Sequence, residues 1–291
     1  MSHLRPSAIP AFLSRLSARL PSSSPPAHFL LPLVAATTLG HGAAWLKPCL
    51  SLALSDLPPT PTPLPPEPAF PLDDLHQHPR RFAVAQIKEA LVKSAVLVGV
   101  PKVIETLLEL QDAVDEADRT RLFVRRDLEG EGQTIAGRQA SGRAGLNSVY
   151  QGQLEPIFER MHRDGLDDLR YLSETVTYGT FLTPYNRPPP TALSAATAPS
   201  SAPQPNLDPL AHDPKLLSIV TLSALVPQRT EREILWHLRG AIRQGWTRAE
   251  VESLQSAVED VCAACGVLEV GKGMPRVAEV DVLPEDKDRQ E

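Results

Sequence analysis

The chain has 291 residues, 42% hydrophobic and 22% charged, with a net charge of −6. That length is enough for one large domain or two small ones with a substantial core. No basic cluster offsets the acidic balance, which excludes sequence-independent nucleic-acid binding, and no stretch reaches the ~20 apolar residues of a membrane-spanning helix. Three cysteines do not make a disulfide framework and point to a reducing, intracellular compartment.

Residues 1–24 carry Arg5, Arg15 and Arg19 and no acid; the first acid is Asp56. This composition suits a mitochondrial presequence. The same segment places Ile9, Phe12, Leu13, Leu16 and Leu20 on one helical face, so the other reading is the first helix of the fold in a cytoplasmic protein. Residues 27–55 read as one or two buried helices broken near Gly40–Gly42. His41 sits at that break without a partner acid and reads as structural, and Cys49 reads as a small buried hydrophobe.

Prolines number 30, about twice the usual share, and much of this excess lies in two blocks. The first, 57–71, predicts an extended spacer; its P-x-x-P pattern lacks the basic flanks of an SH3 ligand. Residues 81–110 predict a helical hairpin with Val84, Ile87, Leu91, Ala95 and Val98 in one stripe. Gly99-Val100-Pro101 stops one helix and starts the next, and Glu89 reads as a solvated or capping acid. Residues 112–146 are charged and then glycine-rich. Their GEGQTIAG stretch lacks Walker spacing and a preceding strand, so the segment reads as a linker. Residues 147–178 return to helix, with Val149, Leu154, Ile157, Phe158 and Met161 on one face and Gly165 as a stop. Nothing in that segment suggests chemistry. The second block, 184–209, predicts a disordered insert. A helix over 213–227 then turns Leu216, Ile219, Leu222 and Leu225 inward, and 281–291 is an acidic tail without a peroxisomal SKL-type ending.

The most informative stretch is 229–266, RTEREILWHLRGAIRQGWTRAEVESLQSAVEDVCAACG. Thr230 with Glu233 and Thr247 with Glu250 have capping-box spacing. Ile234, Leu238, Ala241 and Ile242 make the first apolar stripe, with Gly245 as a left-handed stop. Val251, Leu254, Ala257, Val258 and Val261 make the second, ending at Gly266. Glu233, His237, Ala241, Gly245, Thr247, Glu250 and Val251 follow the pattern E-x3-H-x3-A-x3-G-x-T-x2-E-[IV]. The stretch therefore resembles the core motif of the carboxymuconolactone decarboxylase/alkylhydroperoxidase AhpD-like superfamily. Residues 87–101, IKEALVKSAVLVGVP, resemble the closing segment of the same family. The resemblance implies an all-α fold of two degenerate AhpD-like lobes packed as a pseudo-twofold pair, similar to long, two-lobed fungal members. The lobes would be 25–111 and 147–280, with self-association expected and no metal or organic cofactor.

These residues leave three outcomes: acid–base chemistry, thiol chemistry and no active site. Glu233 and His237, four apart on one helix, can share a face, so that the carboxylate raises the imidazole pKa. His237 would then carry a proton in decarboxylase-like chemistry on a small organic acid or lactone. Glu233 would orient it, and Arg239 or Arg243 would anchor a substrate carboxylate. Cys262-Ala-Ala-Cys265 is a C-x-x-C, but it ends a helix, where the dipole disfavours a thiolate. The family's redox cysteines precede the His, at positions that hold Thr230 and Glu233 here, so thiol peroxidase chemistry is the weaker expectation. Metal binding lacks a second ligand pair. The third outcome is a non-catalytic helical assembly protein. A polar pocket beside His237 would mark the enzyme; tight packing around it would mark the scaffold.

Overall fold

The computed structural model describes residues 3–61, 75–125, 134–183 and 208–281. The fold is all-α, with no strand among the described residues. Most of the 57–71 spacer, nearly all of the 184–209 insert, residues 130–133 of the GEGQTIAG stretch and all but Asp281 of the tail lie outside the described residues.

Two helices form the centre. α2 (Ala27–Thr38) and a later helix, Lys215–Gln228, are buried around almost their whole circumference, and helices apolar on every side belong inside a core. α1 (Ile9–Ser17) lies against α3 (Gly42–Leu54) and inserts Ile9, Leu13 and Leu16 into the same core. α4 (Pro79–Val98) and α5 (Val100–Ala113) form the expected hairpin, with Gly99 at φ +97° between them. Lys102 of α5 donates to the Thr38 carbonyl at 2.6 Å, placing a cation on the C-terminal end of α2.

Within the segment 112–146, read from the sequence as a linker, residues 135–146 belong to α6, which spans Ile135–Tyr150. Its glycines serve close packing. A Cβ on Gly142 would lie 1.8 Å from the Glu174 carbonyl oxygen, and one on Gly179 would lie 2.4 Å from that of Arg138. Glycine at both positions lets α6 press against Leu172–Leu182, which is wound as a π-helix. Gln151 at φ +45° ends α6 before α7 (Leu154–Arg163), and α8 (Asp167–Tyr171) runs into the π-helix. Leu146, Val149, Leu154, Phe158, Tyr178 and Leu182 give this part a small core of its own.

The chain continues as α9 (Lys215–Gln228), α10 (Glu231–Arg243) and α11 (Arg248–Ala264). α2 packs along α9; α9 reaches back to α4 as α2 reaches forward to α11. These contacts join the helices α2–α3–α4 to the helices α9–α10–α11. One continuous core runs through both, from Ile9 to Val280, so the halves share their interior.

Candidate functional site

Of the two capping boxes expected around α10 and α11, one forms. Thr247 Oγ1 accepts from the Glu250 amide at 3.2 Å and Glu250 Oε2 accepts from the Thr247 amide at 2.9 Å. At α10 the Thr230 side chain makes no cap and donates instead to the Leu225 carbonyl at 3.4 Å. Glu233 therefore takes no part in capping.

Glu233 also does not orient His237. The imidazole is buried, and its one hydrogen-bond partner among the described residues is Tyr178, whose hydroxyl lies 3.5 Å from Nε2. The expected upward shift is reversed: burial pulls the His237 pKa down to about 4, so the ring is neutral at physiological pH. Tyr178 also hydrogen-bonds Tyr150, and the Tyr150 ring stands edge-on to both Trp236 and His237. Burial raises the Tyr150 pKa, and the nearby Glu233 charge raises it further. Glu233 and His237 are therefore connected only through two tyrosines. Those tyrosines come from the 147–178 segment, which the residue pattern alone marked as packing.

Arg239 and Arg243 are buried as well. Arg243 donates to the Val149 carbonyl at 2.6 Å, holding α10 on α6. Neither arginine, nor His237, nor Glu233 lines either of two surface cavities. Cys262 and Cys265 are free thiols buried at the C-terminal end of α11, and burial is the main cause pushing each to about 12. Among the described residues no group of three or more His, Cys, Asp or Glu is placed to hold a metal ion.

A different acid is buried in an ion-pair cluster. Glu89 on α4, expected in solvent, is only 3% exposed. It meets Arg125 through two hydrogen bonds, 3.0 and 2.7 Å. Lys93, one turn along α4 and also buried, lies 3.6 Å from Glu89 and 3.0 Å from Asp208. The two cations also close the π-helix. Arg125 donates to the carbonyls of Thr180 and Phe181, and Lys93 to those of Phe181 and Leu182. The last carbonyls of a helix lack internal partners and favour positive charge. Burial, the largest effect, raises the Glu89 pKa despite the neighbouring Lys93 and Arg125 charges.

Glu89 and Arg125 line a cavity of about 470 Å³ whose other walls are mostly apolar, including Val92, Leu122, Phe123 and Phe181. A single signal in sequence points here: Glu89 and Lys93 are an i,i+4 pair on a helix that is buried nearly all round. Arg125 and Asp208 are supplied from distant parts of the chain, which no spacing reveals.

The chain is 23% identical to a protein of Schizosaccharomyces pombe named Peroxisomal protein 2 over 182 residues, covering 62% of this chain and 71% of that protein. No protein-family model matches the chain, and no solved structure matches it. Among the described residues no helix is long and apolar enough to cross a membrane.

Proposed function

We propose that this chain is a divergent two-copy protein of the AhpD-like superfamily in which the His237 position no longer carries proton transfer, leaving a non-catalytic helical assembly protein. The observation that carries the reading is the state of His237: buried, uncharged, bonded to a tyrosine and lining neither of the two cavities. The seven motif residues fall on α10, the Gly245 turn and the start of α11, the helical hairpin to which that motif corresponds. Self-association draws support from Val100, Ile104 and Leu108, aliphatic side chains at least half exposed and spaced one turn apart along α5. Imidazole titration by NMR tests the reading. His237 should show no titration between pH 5 and 9; a midpoint near neutrality would restore the enzyme. Light scattering should give more than one copy per particle, and Ile104→Glu should reduce it to a monomer.

A second reading is favoured by the Glu89 cavity: proton-transfer chemistry on a small neutral lactone, with Glu89 as the base. A carboxylate held above its ordinary pKa on an apolar cavity wall is a stronger base than a free one. Turnover of lactones that is lost in Glu89→Gln and kept in His237→Gln would establish it. Thiol peroxidase chemistry has the least support, given two thiols pushed to about 12.

For location, the name of the S. pombe relative makes the peroxisome the first compartment to test, ahead of the cytoplasm and of the mitochondrion suggested by the acid-free N-terminus. Removing residues 1–24 would take Ile9, Leu13, Leu16 and Leu20 out of the core, so the mature protein is expected to keep them. Fluorescence microscopy with the N-terminal mass of the purified protein decides both points.

A further inference from the structure

The Glu89–Arg125 pair leaves a specific set of hydrogen-bonding sites unused. A guanidinium has five N–H donors. Arg125 Nε is taken by Thr180, Nη2 by Glu89 and Phe181, and one Nη1 hydrogen by Glu89. One Nη1 donor is left. Each Glu89 oxygen accepts one hydrogen bond from Arg125, which leaves acceptor capacity on both. Both residues line the cavity, and the charges of the pair cancel. Lys93 and Asp208 behind it form a second self-cancelling pair at 3.0 Å. Lys88, the other charged residue of the cavity, directs its ammonium to the Thr120 carbonyl at 2.6 Å.

We propose that the cavity between α4 and residues 120–125 binds a neutral small molecule with an apolar body and one hydroxyl group, seated with that hydroxyl on the Glu89–Arg125 pair. A hydroxyl both donates and accepts, so it can donate to Glu89 or accept from Arg125 without adding charge. A ligand carboxylate would set a like charge against Glu89, and a ligand cation would do the same to Arg125; each would bury a net charge beside a pair already neutral. A hydrocarbon without the hydroxyl would leave the spare donor and acceptors covered and unpaired, which costs more than it gains. The volume, about 470 Å³, lies within the range of small-molecule pockets. Val92, Leu122, Phe123 and Phe181 supply the apolar contact. This site is separate from His237 and does not depend on whether the chain is catalytic.

The test is fluorescence titration of the full chain at pH 7 with 2-naphthol, and calorimetry with naphthalene and 2-naphthoate. Saturable binding of 2-naphthol is expected, at least about tenfold tighter than either comparison compound, the factor for one hydrogen bond to a charged group. Val92→Trp should fill the cavity and abolish the binding while circular dichroism and melting stay as in wild type; Leu122→Trp does the same from the facing wall if the first variant does not fold. The proposal is overturned by absence of saturable 2-naphthol binding, by tighter binding of 2-naphthoate, or by unchanged binding in a folded cavity-filled variant.

Discussion

The Tyr178 hydroxyl lies 3.5 Å from His237 Nε2 in the interior between the π-helix and α10, so the imidazole is satisfied as a neutral ring. Protonating it would bury a charge without a counter-charge. An unfolded chain takes up this proton near 6.5 and the folded one only near 4. Between those values the unfolded state binds more protons. The stabilising contribution is therefore complete above about pH 6.5 and is lost as pH falls toward 4. The difference amounts to on the order of 3 kcal/mol. Urea unfolding at pH 7.0 and 4.5 should show the loss in wild type and a smaller loss in His237→Leu; equal losses in the two proteins would contradict the assignment.

Glu89 and Arg125 should prove strongly coupled. Glu89→Leu strands a buried guanidinium beside Lys93 and should cost about 3–5 kcal/mol. Arg125→Met strands the carboxylate and should cost a similar amount. The double variant Glu89→Leu/Arg125→Met should recover much of that loss, since apolar replacement of a whole buried pair is often close to neutral. Denaturant midpoints in the four proteins close the cycle, and simple additivity would argue against a buried pair.

Gly142→Ala and Gly179→Ala each place a methyl group into a facing backbone carbonyl. Each should destabilise by about 1–3 kcal/mol as α6 and the π-helix are forced apart. Gly165→Ala is a useful contrast: its Cβ meets nothing within 4 Å, so its cost comes only from a positive φ of 73°. Thermal melting of the three variants should rank the two crowded glycines above the open one.

The cysteines should be slow to react. Cys262 and Cys265 are held near 12, mainly by burial, and Cys49 is fully buried within α3. At pH 8 an iodoacetamide reaction followed by mass spectrometry should leave the native protein unmodified over a period in which the urea-unfolded chain takes up three labels. Rapid native labelling at Cys262 would reopen the redox reading.

Residue order alone determined the elements whose causes are local. Gly99 and Gly245 adopt the positive φ that their stop positions require. Thr247 and Glu250 form their capping box, and the apolar stripes 216–225 and 251–261 face inward, because helix period, caps and left-handed turns depend on residues within one or two turns of one another. Only the tertiary structure decided which charges are buried and with whom. Glu89 finds Arg125 and Asp208 across long separations, His237 finds Tyr178 in place of Glu233, and the glycines of 135–150 become a helix interface because another helix lies against them. Burial sets those pKa values and partners. It is a property of the packed core as a whole, and no local spacing carries it.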